Sequence, residues 1–224
     1  MRPSANSGGG RRSDAPLQVL RPGDPRLVPA VGDIRTAVAL VSSARLDEGA
    51  SAWPAQLSTR LRFEQLADGG PMVLDRAPSA AHFTASSLVV EAGAERVAVL
   101  WHNKARRWLQ PGGHADGDGN LAHVAWREAT EETGIDGLAV VVPAVHLDVH
   151  PFTPPHEPSH LHYDLRFIVL SPPGATPRPN HESSEVRWVD LETLAGLDPD
   201  PGLVHLGVWG LGIARSLPPD VWPT

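Results

Sequence analysis

Residues 112–135 read GGHADGDGNLAHVAWREATEETGI and contain the most informative helix of the chain. Asn120 is a residue type that caps the start of helices, and Gly134 is the type that ends them in a left-handed conformation. The segment therefore predicts a helix that begins after Asn120 and ends at Thr133, preceded by a glycine-rich loop.

The predicted helix carries three glutamates on one face. Glu131 and Glu132 follow Glu128 by three and four residues, so the carboxylates share one side of the helix. Like charges at these spacings repel each other, whereas a hard divalent ion, Mg²⁺ or Mn²⁺, would bind them through oxygen. Arg127 can hold Glu131 by an ion pair one turn along the helix. The alternative is a solvated acidic face, and three glutamates alone would favour it.

The full segment resembles the Nudix box, Gly-x5-Glu-x7-Arg-Glu-U-x-Glu-Glu-x-Gly-U, in which U is a bulky apolar residue. The matching positions are Gly113, Arg127, Glu128, Glu131, Glu132, Gly134 and Ile135. Two positions depart from the pattern: Gly119 stands where the family has glutamate, and Ala129 is small. In the family the residue at the position of Gly119 orders the loop and pairs with the arginine. We therefore expect Asp116 or Asp118 to substitute as partner of Arg127.

The resemblance implies a fold and a reaction. It covers roughly residues 83–217 and implies the Nudix α/β/α sandwich, in which a mixed sheet lies between helices. Members of the family hydrolyse a diphosphate linked to another moiety, most often in a nucleoside diphosphate derivative. The resemblance thus implies a pyrophosphohydrolase that uses Mg²⁺ or Mn²⁺ and acts on a small-molecule diphosphate. Gly119 motivates an alternative, a degenerate Nudix module that binds a nucleotide as a sensor or regulatory subunit.

The family pattern also assigns metal ligands. Carried over by position, Glu128 and Glu132 would be the main ligands, Glu131 a further ligand, and the carbonyl of Gly112 would join them.

The isomerase branch of the fold uses chemistry that resembles a cysteine-assisted proton transfer. The chain has no cysteine, which excludes that branch.

The catalytic residues implied by the resemblance are Arg127, Glu131 and a general base from a later loop. Glu182 is the first candidate for that base and Glu185 the second, because both precede the predicted strand at residues 186–189. The alternative is that both glutamates only solvate their loop.

A strand with strict alternation is predicted at residues 160–167. His160, His162, Asp164 and Arg166 would face one way and the intervening apolar residues the other. Such a polar face in a central sheet would line the cleft, so His160, His162 and Arg166 are candidates to bind the phosphate or base of a substrate. The alternatives are a solvent-facing edge strand and a His-x-His zinc site.

Basic and aromatic residues near the box are further candidates for substrate binding. Lys104 and Arg106 precede the box and could neutralise a phosphate, and His114 within the box loop could hydrogen-bond one. Trp108 could stack on a base. The alternative for Trp108 is packing beneath the loop.

The composition outward from the box divides the chain into three parts. Residues 1–30, rich in Ser, Gly, Pro and Arg, predict a disordered basic arm. Residues 31–80 predict a helical N-terminal extension, with Asp33 capping one helix and Pro54 in the first turn of another. Residues 81–224 are the predicted Nudix domain, with a hairpin at residues 87–101, strands at 138–142, 145–149, 164–170 and 186–189, and a closing helix at 202–217.

Length and charge exclude several classes of protein. The chain has 224 residues, a net charge of −7 and no cysteine, so it holds neither disulfides nor thiolate zinc sites. The acidic balance argues against broad nucleic-acid binding, which depends on basic surfaces. The apolar runs fall short of the roughly 20 residues that a transmembrane helix needs. We therefore predict a cytoplasmic protein with no membrane or nucleic-acid partner, and a possible homodimer formed through the helical extension.

Overall fold

A computed structural model describes residues 15–47, 49, 52–76, 80–153 and 158–224. In chain order, its elements are β1 (Gln18–Leu20), α1 (Ile34–Ser43), α2 (Trp53–Ala67), a 3-10 helix (Gly70–Leu74), β2 (Ala81–Val90), β3 (Val97–His102), β4 (Arg107–Leu109), β5 (Gly112–His114), α3 (Leu121–Thr133), β6 (Ala139–Phe152), β7 (His160–Leu170), β8 (Ser183–Val189), α4 (Leu191–Gly196), α5 (Pro201–Ser216) and a second 3-10 helix (Pro219–Val221).

The eight strands form one mixed sheet. Six of them lie in the order β1-β6-β7-β2-β3-β4, while β5 pairs with β2 and β8 pairs with β3. The central pair, β2 and β7, is parallel and runs in register from Ala81 opposite Leu161 to Val90 opposite Leu170. All other pairs are antiparallel, including the predicted hairpin of β2 and β3.

Helices cover both faces of the sheet, which confirms the predicted α/β/α sandwich. On β7, Leu165 and Phe167 pack in a core shared with α1, α2 and α3. Ile168 and Leu170 point the other way, into a second core shared with α4 and α5. This division follows from the alternation of side chains along a strand. Among the described helices, none is long and apolar enough to cross a membrane.

The prediction of a disordered arm over residues 1–30 is wrong for residues 15–30, and residues 1–14 lie outside the described part of the chain. β1 pairs antiparallel with β6, with Gln18 opposite Val142. Leu20 and Leu27 are buried in the main core, at 3% and 6% exposure. Composition favoured disorder there, but two apolar side chains and one edge pairing hold the segment on the sheet.

The two helices of the N-terminal extension form as expected. The carboxylate of Asp33 caps α1 by accepting a hydrogen bond from the backbone N–H of Arg35 at 3.1 Å. Ala37 and Val41 of α1 and Phe63 of α2 are buried in the same core as β2 and α3. The extension therefore contributes to the main hydrophobic core.

The two strands predicted at residues 138–142 and 145–149 are one strand, β6. Its register against β7 shifts between Val141 and His146, where Pro143 lacks the N–H needed for a regular ladder. The pairing resumes at His146, so proline interrupts the ladder without ending the strand.

Candidate active site

A cleft of about 500 Å³ opens beside the parallel pair of strands. Its walls come from β2, β5, β7, the face of α3 and the loop before β8. Side chains that carry chemistry there include Lys104, His114, Glu128, Glu131, Glu132, His160, His162, Asp164, Arg166 and Glu182. Topology thus brings the box glutamates and the polar face of β7 to one place.

The box helix has the predicted caps. The side-chain oxygen of Asn120 accepts a hydrogen bond from the backbone N–H of His123 at 3.4 Å, and Gly134 ends the helix with φ of +60°. The three glutamates differ in exposure: the side chain of Glu131 is 58% exposed and that of Glu128 is 14% exposed, whereas Glu132 is 3% exposed as a residue. Glu128 and Glu132 therefore form the inner wall of the cleft.

Burial raises the pKa of both inner carboxyls. The pKa of Glu132 rises to about 8, mainly through desolvation, even though the backbone N–H of Gly112 donates a 2.8 Å hydrogen bond to its carboxylate. Desolvation also raises the pKa of Glu128, and the adjacent guanidinium of Arg127 opposes that rise. Glu128 and Glu132 are neighbouring buried carboxyls, and the positive charge of Arg127 alone does not balance two carboxylates.

Two glycines allow the box loop to lie close to its neighbours. A Cβ at Gly113 would lie 2.5 Å from the carboxylate carbon of Glu128, and one at Gly112 would overlap the side chain of Ser86. Larger residues at either position would push the glutamate or β2 away. The glycines of the box thus set the distance between the loop and the carboxylates.

Arg127 holds the glutamates rather than an aspartate. Its guanidinium pairs with Glu128 at 2.8 Å and with Glu131 at 3.7 Å, and it donates to the carbonyl of His114 at 3.4 Å. The expected substitution by Asp116 or Asp118 is wrong. Asp116 forms an ion pair with Arg76 and Asp118 contacts the ring of His123, so both are engaged elsewhere.

Gly119 has a packing reason that the sequence motif does not show. Its N–H donates to the carbonyl of Ala30 at 2.9 Å, and a Cβ would overlap the carbonyl oxygen of Asp33. The side-chain amide of Asn120 also donates to the carbonyls of Arg26 and Val28, at 2.8 Å each. The segment of residues 26–33 therefore lies directly on the box loop, and a glutamate at position 119 would not fit.

Of the predicted substrate-binding residues, five line the cleft and two do not. Lys104, His114, His160, His162 and Arg166 are in its walls, whereas Arg106 and Trp108 are not. The ring of Trp108 packs edge-on against Trp101, and the guanidinium of Arg187 lies 4.3 Å from its centre. These positions do not support substrate contact for Arg106 and Trp108.

Arg166 is the largest fully buried side chain among the described residues. Its guanidinium donates to Asp164 at 2.7 Å and to Asp148 at 2.8 Å. Asp164 also accepts hydrogen bonds from Thr84 and Ser86 of β2, at 3.1 and 2.9 Å. The two carboxylates offset the charge of Arg166 and hold its guanidinium in place in the lining of the cleft.

The alternation predicted for β7 is confirmed, and it brings together more histidines than the sequence indicated. His160 and His162 meet His114 of β5 and His82 of β2, with ring centres 4.8–5.1 Å apart in the close pairs. Sequence reasoning missed His82, because the register that places it opposite His162 is a property of the sheet. Desolvation, with smaller contributions from neighbouring positive charges, lowers the pKa of His82 and His114 to about 4 and that of His162 to about 2.

The two candidates for the general base differ in position. Glu182 lines the cleft with its side chain 41% exposed, and the side chain of Asn180 accepts its backbone N–H at 2.9 Å. Glu185 pairs with Arg187 at 3.5 Å and is not in the wall of the cleft. The geometry favours Glu182 of the two.

A family model described as the NUDIX domain matches residues 81–205, more than half of the chain. The chain belongs to the Nudix family. No curated protein sequence matches it. Several solved structures resemble part of the chain, at sequence identities of 21% or less and TM-scores below 0.5.

Three of these structures illustrate the likeness. An Ap4A hydrolase from C. elegans is 17% identical, with 60% of this chain and 98% of that chain covered and a TM-score of 0.45. RenU, a Nudix hydrolase from M. smegmatis, is 21% identical, with 61% and 88% covered and a TM-score of 0.46. A hydrolase of the NUDIX family from Clostridium perfringens is 21% identical, with 59% and 97% covered and a TM-score of 0.46.

Proposed function

We propose that the chain is a divalent-metal-dependent hydrolase that cleaves the diphosphate bond of a nucleoside diphosphate-linked or related small molecule. The observation that carries this proposal is the pair of buried carboxyls, Glu128 and Glu132, in the wall of a cleft large enough for such a molecule. Family membership supports the same reaction.

The residues of the box fit Mg²⁺ or Mn²⁺. Glu128 and Glu132 would hold the ion, with Glu131 and the carbonyl of Gly112 as further oxygen ligands, a donor set that hard cations prefer. The raised pKa values of Glu128 and Glu132 indicate carboxyls that a cation would stabilise in the charged form. When bound, the ion supplies neutralisation of the diphosphate charge and a lower pKa for attacking water.

The remaining side chains position the carboxylates, the substrate and a proton. Arg127 fixes Glu128 through the 2.8 Å ion pair and limits repulsion from Glu131. Glu182, partly exposed in the wall of the cleft, is the proposed base that takes the proton from water. Lys104 and the histidines at positions 114, 160 and 162 are the proposed contacts for the substrate anion.

The alternative is a module that binds a nucleotide without cleaving it. Gly119 motivated that alternative, but the contacts of residues 26–33 give this glycine a packing role that leaves Glu128 and Glu132 in place. Hydrolysis is therefore the favoured function. Binding without turnover under Mg²⁺ and Mn²⁺ would support the alternative.

The test is an assay of the full chain against a panel of substrates with Mg²⁺ or Mn²⁺. Nucleoside di- and triphosphates, ADP-ribose, dinucleoside polyphosphates and sugar nucleotides cover the main chemical classes. With an active substrate, Glu132→Gln should abolish metal-dependent product release, and Glu182→Gln should reduce kcat more than Glu185→Gln. Glu192→Gln, on the exposed start of α4, is the matched control. Unchanged turnover in Glu132→Gln would rule out the proposed site.

A further inference from the structure

The cluster of His82, His114, His160 and His162 contains more metal-binding nitrogen than the hydrolase site requires. One ring nitrogen from each residue lies within 4.8 Å of the corresponding atom of every other residue. The four residues come from the parallel pair, β2 and β7, and from β5, which pairs with β2. Strand pairing therefore brings the four imidazoles together.

We propose that these four histidines bind a divalent transition-metal ion of the zinc type, at a site distinct from the oxygen ligands of the box. Imidazole nitrogen suits Zn²⁺, whereas the carboxylates of the box suit Mg²⁺ or Mn²⁺. Four nitrogen ligands also match the four-coordinate, tetrahedral geometry of structural zinc sites.

The distances between the nitrogens are close to those of a tetrahedral site. With zinc–nitrogen bonds of about 2.0–2.1 Å, the nitrogens of such a site are about 3.3 Å apart. The Nε2 atoms of His160 and His162 already face each other at 3.1 Å. The widest spacing in the cluster is at most 4.8 Å, so its nitrogens would have to approach each other by up to about 1.5 Å to bind one ion.

His82 provides an independent indication of a missing partner. The residue is 1% exposed, and within the described part of the chain neither of its ring nitrogens has a hydrogen-bond partner. A buried imidazole with both nitrogens unpaired is unfavourable, because each polar atom has lost water without replacement. A bound ion would give the lone pair of His82 a ligand bond.

His160 has the outer contact that metal-binding histidines typically show. Its Nδ1–H donates to the backbone carbonyl of Pro158 at 3.0 Å, which leaves the lone pair on Nε2, the atom that faces His162. The ring of Phe152 stacks on that of His162, with centres 4.6 Å apart, and restrains its orientation. The first contact leaves Nε2 of His160 able to bind an ion, and the second restrains the plane of the His162 ring.

The ion would change the electrostatics of the cleft. Neutral imidazoles contribute no net charge, so a bound divalent ion would keep its full positive charge beside the substrate. The existence of the site does not depend on the proposed hydrolase function. Its effect on an anionic substrate does rest on that function: with the ion bound, the phosphate contact proposed above for His114, His160 and His162 would be made by the ion that they hold.

The test is metal binding by the untagged full chain, stripped with chelator and then dialysed against Zn²⁺ in the presence of excess Mg²⁺. Elemental analysis should find one zinc per chain, and Co²⁺ used as a probe should show the visible absorption of a tetrahedral site. His160→Ala and His82→Ala remove a ligand and should weaken Zn²⁺ binding by more than the roughly 10–100-fold that loss of an outer-shell partner costs. His181→Ala, an exposed histidine outside the cluster, should bind zinc as the wild type does.

A box variant separates this site from the proposed hydrolytic one. Glu132→Gln should lose activity but keep its zinc, so failure of the hydrolase proposal and failure of the zinc site are distinguishable. Because His82 is buried, circular dichroism should check that the His82→Ala variant still folds. His160 is partly exposed, so His160→Ala tests the site even if His82→Ala fails to fold. The proposal is overturned if the wild type retains no zinc, if His160→Ala binds zinc equally well, or if zinc is lost from Glu132→Gln instead.

Discussion

Replacing Glu132 by glutamine should stabilise the metal-free protein at high pH and leave its stability at low pH unchanged. In the folded state the pKa of this carboxyl is raised from 4.5 to about 8, chiefly because the residue is buried. A raised pKa means that the folded protein binds the proton more tightly than the unfolded chain does. The protonated carboxyl of the wild type therefore contributes its full stabilisation to the folded state below about pH 4.5. This contribution is lost as the pH rises through about 8.

The size of the effect follows from the shift. At about 1.36 kcal/mol for each unit of pKa, ionisation of Glu132 in the folded state costs roughly 3–5 kcal/mol. Glutamine keeps an oxygen that can accept the hydrogen bond from Gly112 and carries no charge at any pH. The substitution also removes a negative charge beside Glu128, which further stabilises the folded variant at high pH.

Urea unfolding in the presence of chelator, at about pH 5 and about pH 9, measures the difference directly. The variant should be more stable than the wild type only at the higher pH, and added Mg²⁺ should narrow the gap by stabilising the charged carboxylate of the wild type. Glu131→Gln is the control, because this side chain is 58% exposed and its loss should change stability by less than about 0.5 kcal/mol. A difference that is equal at both pH values, or absent at high pH, would refute the burial argument.

Three further substitutions test packing at Gly119 and Gly210 and charge pairing at Asp164. Gly119→Ala should cost about 1–3 kcal/mol, because its Cβ would overlap the backbone of the N-terminal segment; urea unfolding would show this, and an unchanged midpoint would contradict the contact. Asp164→Asn should cost about 3–5 kcal/mol by leaving the buried charge of Arg166 underpaired; a loss below about 1 kcal/mol would show that Asp148 alone suffices. Gly210→Ala should lower the melting temperature by several degrees, since its Cβ would lie 2.5 Å from a leucine side chain of β2; a melting curve that matches the wild type would show that this side chain moves aside freely.

The features that the sequence predicted are those encoded by local spacing. The shared face of Glu128 and Glu132 and the alternation along β7 depend on periods of 3.6 and 2 residues, and the caps at Asn120 and Gly134 depend on single residue types. Such periods are fixed by the backbone. They hold whatever the element later packs against.

The features that the sequence did not predict depend on which distant segments meet. His82 joins the histidine cluster only because β2 and β7 are parallel and in register. Asp148 reaches Arg166 because β6 lies beside β7. Gly119 contacts residues 30–33, which lie 86–89 positions earlier in the sequence. No local sequence pattern in these segments indicates which distant segment each of them contacts.

Residues 26–33 contact the box loop through hydrogen bonds to Gly119 and Asn120. The amide of Gly119 is held by the carbonyl of Ala30, so that amide can exchange its hydrogen with solvent only when the N-terminal segment lifts away. Hydrogen exchange at one glycine would thus report the undocking of a strand and loop far away in sequence. It follows that a protease cut or a truncation before residue 33 would act at a distance. It would loosen the loop that positions Glu128 and Glu132 while leaving every residue of the box in place.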